Sequence, residues 1–237
     1  MQTEKLPYPP EQDGQEQALE YLLLLAKGAT FPVPIASFTI EILNRLYKKP
    51  LEKRRIDWME KVTEVINELI SKQKDLTPTK LAQNPEFVTI LHRATEIAVK
   101  THQEEKHLLL KNAILSAGSP TSTDLDKQLL FLRFVDELSI NQVLVLQLYR
   151  NPIEWFHRHN LEPHSYYMAS RIEALNQAYP ELAKDPFLKD LVLSELERRG
   201  LLSGLYGNVS ESSVYNPATT NLGIAFLTYV QADKIES

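Results

Sequence analysis

Glycine is almost missing from most of this chain: Gly14, Gly28 and Gly118 are the only three before Gly200, and Gly204, Gly207 and Gly223 follow close behind it. A chain with so few positions free to take positive φ cannot supply the tight turns and bulges of a strand-rich fold. It can supply helices, which ask for glycine only just past their C-termini. The helix-start signals agree. Asn84-Pro85 and Asp185-Pro186 each place a capping side chain ahead of a proline at the first helical position, Thr77-Pro78 restarts the chain after a break, and Ser139 can cap a short apolar helix. The chain therefore reads as nearly pure helix up to about residue 180.

Periodicity places the individual elements. Ile56, Met59, Val62, Val65, Ile66, Leu69 and Ile70 form one apolar stripe of helical spacing within residues 50–73. Phe87, Ile90, Leu91, Ala94, Ile97, Ala98 and Thr101 form another, in a helix that nothing in the sequence breaks before Gly118. Residues 119–124 are a loop, and helices follow over 124–138, 140–150, 152–160, 164–178, 186–199 and 220–231. Upstream, residues 1–10 read as disordered, and two further helices run from residue 11 to Lys49 around an apolar loop at 28–34. The stretch 201–220 differs from the rest, being rich in Gly, Ser and β-formers, and predicts a short β-hairpin. The expected fold class is all-α: about ten helices, with a helical domain at 11–180 and a smaller C-terminal unit at 181–237.

Other counts exclude whole classes of chemistry. The chain has no Cys, which removes disulfides, thiolate metal sites and cysteine nucleophiles. A formal charge of −5 argues against a general polyanion binder. No Gly-x-Ser-x-Gly, His-Glu-x-x-His, paired-Asp or Walker motif is present, so the expectation is a non-enzyme without a cofactor. The polar, Pro-bearing first seventeen residues do not read as a signal peptide, and the expected compartment is the cytoplasm. Residues 18–43 are the most membrane-like part, but Lys27, Gly28, Pro32 and Pro34 interrupt them before the roughly 20 apolar residues of a span. They read as two buried helices, with membrane association as the alternative.

Three groups of residues bear on function. The basic cluster Lys48, Lys49, Lys53, Arg54 and Arg55 puts cations into the first turns of a helix, where the dipole disfavours them. Either a carboxylate inside the protein or an external anionic or acidic partner answers them. Two Glu-x-x-His pairs, Glu104 with His107 and Glu154 with His157, have the spacing of bundle metal ligands but read first as polar surface. The third group, Lys189, Arg198, Arg199, Tyr206 and Tyr215, marks a candidate interaction surface in the C-terminal unit.

That unit resembles the second half of a winged-helix domain, in which a helix leads through Arg-Gly-Leu into the wing and Thr-x-x-Gly-x-x-Phe opens the last helix. The matching residues are Leu196, Arg199, Gly200, Leu201, Thr220, Gly223 and Phe226. The charges of residues 186–199 cancel, so the resemblance implies a packing or dimerisation unit before a nucleic-acid reader. On a larger scale the chain resembles the bacterial abortive-infection alpha proteins. The segments that carry this are 50–62, 84–114 and 219–230, with Asn84, Phe87, Thr101, Glu105, Lys106, Asn112 and Ala113 at the matching positions. The resemblance implies a place in phage defence and carries no catalytic residues. The expected function is a protein-interaction or sensor component with a protein partner or a second copy of itself. A nucleic-acid-binding regulator and a membrane-active effector are the alternatives.

Overall fold

The computed structural model describes residues 52–165, 168–206, 209–210 and 213–231. The expected helices before residue 50, the apolar stretch 18–43, and Lys48 and Lys49 lie outside the described residues. Within the described residues the chain is all-α, with eleven helices and very little strand. It divides into two compact units between Asp136 and Glu137. The change in composition near residue 180 therefore falls inside the second unit, because the helix that starts at Pro186 packs on the one that starts at Ile140.

The first unit contains α1 (Glu52–Lys72), α2 (Pro78–Gln83), α3 (Pro85–Lys100), α4 (Glu104–Ala117) and most of α5 (Leu125–Glu137). The caps sit where the sequence puts them. Thr77 Oγ1 accepts from the Lys80 amide at 3.2 Å, and Asn84 Oδ1 accepts from Glu86 and Phe87 at 3.0 and 3.2 Å. The continuous helix expected over 85–117 is two helices. Thr101 leaves the helix with extended φ and ψ, and its hydroxyl accepts from the Gln103 amide at 3.2 Å. This is the local competition with helix that Thr is able to offer, and it lets α4 pack along α3. The core joins Val65 and Leu69 of α1 with Ile90, Ala94 and Ile97 of α3, Leu110 and Ile114 of α4, and Phe131 and Leu132 of α5. On α1 the buried line runs through Arg55, Trp58, Val65 and Leu69, while Ile56, Met59, Val62 and Ile66 are only half-buried.

The second unit is built around α6 (Ile140–Arg150), whose Leu146, Leu148 and Tyr149 are fully buried. Ser139 and Gln142 form a complete capping box at its start. Around it follow α7 (Pro152–Arg158), α8 (Ile172–Ala178), the one-turn α9 (Pro180–Ala183), α10 (Pro186–Arg198) and α11 (Asn221–Tyr229). The helix expected at 164–178 is helical only from Ile172, since Met168–Ala169 (β1) pairs antiparallel with Val209–Ser210 (β2). In place of the expected hairpin, the described residues of 201–220 show an isolated bridge between Leu202 and Thr219, and strand β2 pairs outside the stretch. Gly200 ends α10 at φ 70°, and the Leu201 amide donates to the Leu196 carbonyl at 2.9 Å, as expected of a C-terminal glycine. Among the described residues no helix is long and apolar enough to cross a membrane.

Candidate functional site

The second unit leaves an apolar face in water. Its α10 carries apolar residues at 187, 188, 191, 192, 193 and 196, more than one stripe facing a core can absorb. Val192, Leu193 and Leu196 are buried. Phe187, with 81% of its surface exposed, and Leu188 and Leu191 are left outside. The Asp185 carboxylate caps this end of the helix by accepting from the Leu188 amide at 3.0 Å.

Leu188 also lines an open hollow of about 400 Å³, walled by Leu144 and Val145 of α6, Ala178 at the end of α8, Tyr179, and Leu182 of α9. Tyr179 packs on Trp155, with ring centroids 5.4 Å apart, and points its hydroxyl at the Leu144 carbonyl. Burial pushes that phenol up to about 12, so it stays neutral at any ordinary pH. At the rim, Glu181 is paired with Lys184 at 2.5 Å. The lining presents mostly apolar carbon to an incoming group, with Asn141 and Glu181 as its polar members. An apolar anchor from a partner fits such a site better than a reacting substrate does.

The residues singled out in the sequence are distributed elsewhere. Arg55 is buried, 6% exposed, and so is no part of a surface patch; Arg54 is half-buried. The side chain of Lys53, like Lys48 and Lys49, lies outside what the structure describes. In the C-terminal set, Arg199 sits between Glu137 at 2.5 Å and Glu195 at 3.2 Å, and these partners hold the guanidinium's pKa above its usual value. Arg198 is also on Glu195, at 2.6 Å, and Lys189 reaches Asn176 at 3.3 Å. Tyr215 is buried, its hydroxyl 2.7 Å from Gln177 Oε1. Of the five, Arg198 and Tyr206 stand out into solvent, the Arg198 side chain 70% and Tyr206 53% exposed.

The Glu-x-x-His pairs separate in the same way. Glu154 turns to Asn151, at 2.9 Å, while His157 is exposed. Glu104 and His107 do approach each other, at 3.4 Å, but Lys61 lies 2.9 Å from the other carboxylate oxygen. An ammonium there occupies the place a cation would need. Among the described residues no three His, Asp or Glu side chains are grouped to hold a metal.

No family model, no curated protein and no solved structure matches this chain.

Proposed function

We propose that this chain is a non-enzymatic protein-interaction component that binds its partner through the apolar face of α10. The observation that carries the reading is Phe187, a large aromatic side chain standing in water beside a preformed apolar hollow. Exposed apolar groups of this size, rimmed by paired charges, are characteristic of recognition surfaces. The occupant is an apolar side chain of a partner protein, entering the hollow between Leu144, Tyr179 and Leu188. The resemblance to abortive-infection proteins supports a place in bacterial phage defence.

A winged-helix-like arrangement of residues 181–237 is a second reading. It draws support from Thr220, whose hydroxyl donates to the Gly200 carbonyl at 2.6 Å while its amide donates to Leu201 at 3.0 Å, so that the Arg-Gly-Leu and Thr-x-x-Gly segments meet. The internal pairing of Lys189, Arg198 and Arg199 favours packing over phosphate binding for that unit.

The test is Phe187→Ser together with Leu191→Ser. Removing exposed apolar side chains leaves folding stability within about 0.5 kcal/mol. Protection of cells against phage, and co-purification of the partner, should be lost. Full protection by a folded double variant overturns the reading, and light scattering of the parent chain reports whether the partner is a second copy.

A further inference from the structure

Among the described residues one buried side-chain polar atom has no hydrogen-bond partner, Nδ1 of His107. The ring is 3% exposed, in the first turns of α4. Its Nε2 lies 3.0 Å from the main-chain carbonyl of Ala98, near the end of α3. Its Nδ1 faces the Glu104 carboxylate at 3.4 Å, without the geometry of a hydrogen bond. Both neighbours are pure acceptors. A neutral imidazole has one N–H and can satisfy one of them. The carbonyl, at full hydrogen-bond distance, takes it, and the Nδ1 lone pair is left directed at a carboxylate. Only the doubly protonated ring donates on both sides.

The charges around the ring fit that state. On the same helix stands Glu104, whose carboxyl lies below its usual range chiefly through its hydrogen bond to Lys61 and stays ionised. From α1 come Lys61, on the far oxygen of Glu104 at 2.9 Å, and the Trp58 ring, its centroid 5.8 Å from that of His107. One turn farther along the same two helices, Lys111 and Glu64 pair with each other at 2.5 Å. On α3, Arg93 contacts Glu96 at 3.2 Å and Asp136 of α5 at 3.7 Å. What α3 offers His107 is the Ala98 carbonyl, with Thr95 accepting from Trp58 Nε1 at 3.1 Å just behind.

We propose that His107 is a proton-operated latch: on taking a second proton from solvent, its Nδ1–H closes onto Glu104 Oε1 and completes a chain from Lys61 through Glu104 and His107 to the Ala98 carbonyl. That chain ties α1, α4 and α3 together. Little movement is needed, because a charge-assisted N–H···O bond is only about half an ångström shorter than the present gap. Closure of the latch requires that second proton, which couples the packing of the first unit to acidification. The latch is independent of the α10 surface and stands whether or not that surface binds a partner.

Nitrogen-15 spectra of the imidazoles in the unmodified chain, from about pH 8 to about pH 5.5, test the proposal directly. The His107 resonances are identified by their loss in His107→Gln. Both ring nitrogens should move to imidazolium positions. In a Trp155→Phe background Trp58 emission should fall along the same curve, since a neighbouring imidazolium quenches indole. The Trp58 curve should be flat in His107→Gln and should shift to lower pH in Glu104→Gln. The proposal is overturned if Nδ1 stays unprotonated at the acid end in folded protein, or if Trp58 follows pH equally in His107→Gln.

Discussion

The two units engage their polar side chains by different means. In the first, indole, imidazole and ion pairs answer one another: Trp58 on Thr95, His107 between Ala98 and Glu104, Lys61 on Glu104, Lys111 on Glu64. In the second, tyrosine hydroxyls reach main-chain carbonyls across the fold, Tyr149 to Arg171 at 3.0 Å and Tyr215 to His164 at 3.2 Å. Residues 52–136 contain no tyrosine, whereas Tyr149, Tyr179, Tyr206, Tyr215 and Tyr229 all fall in the second unit. The contrast predicts units that fail under different conditions. It can be followed separately, because the two tryptophans of the chain, Trp58 and Trp155, fall one in each unit. Among the described residues the first unit keeps its largest apolar side chains inside, while the second leaves Phe187 in water.

The largest difference should come from adding one methyl group to each unit. A Cβ at Gly223 would sit 2.5 Å from the main-chain oxygen of Leu201 and 2.6 Å from Thr219 Cγ2. A carbonyl held in the Leu202–Thr219 bridge cannot step aside. At Gly118 the nearest atom, also at 2.5 Å, is the end of the Leu69 side chain, which can turn. Gly223→Ala should therefore cost about 3 kcal/mol, and Gly118→Ala about 1 kcal/mol. Urea titrations reading Trp155 for the former and Trp58 for the latter measure the two. Equal losses would mean that the bridge region yields as readily as a leucine side chain does.

Most of this architecture could be read from residue types. Asn84, Ser139, Asp185 and Thr220 cap helices because a short polar side chain ahead of an apolar run has one geometrically favoured use. The break at Thr101 could not be read, since a Thr inside a helical pattern is tolerated until its hydroxyl finds a nearby amide, and here it finds Gln103. Nor could the pairing of Met168–Ala169 with Val209–Ser210, which depends on contacts forty residues apart. The candidate surface was half visible. The run PFLKDLVLSEL has too many apolar positions for one buried stripe, but which of them face water depends on where α6 lies. The basic residues drew attention as a chain of charges, although burial takes Arg55 inside and Glu195 and Glu137 neutralise Arg199.

Alkali should act on the second unit. Burial raises the phenols of Tyr149, Tyr179 and Tyr229 above their ordinary value near 10, Tyr179 to about 12. A group whose folded pKa is raised contributes stability that is intact below the unfolded value and lost as pH climbs toward the folded one. Between pH 10 and about 12 the second unit should therefore weaken progressively. Trp155 should report unfolding at a lower pH than Trp58, and Tyr179→Phe should move the Trp155 transition upward. Coincident transitions in the parent protein would show that the difference in tyrosine content does not govern alkaline stability.

The acid side gives the smallest effect, and it falls on the first unit. The hydrogen bond from Lys61 is the main cause of the lowered Glu104 carboxyl, with smaller contributions from the charges of Lys61 and His107. A depressed carboxyl contributes stability that is present above the unfolded value of 4.5 and lost as pH falls through the folded one. Glu104 is largely exposed, with 69% of its side chain in solvent, so screening holds the contribution to under about 1 kcal/mol. Lys61→Met should therefore lower the Trp58-monitored midpoint only slightly at pH 7 and not at all at pH 3, and added salt should shrink the difference at pH 7. A loss that persists at pH 3 would assign the role of Lys61 to the packing of its aliphatic stem and not to its charge.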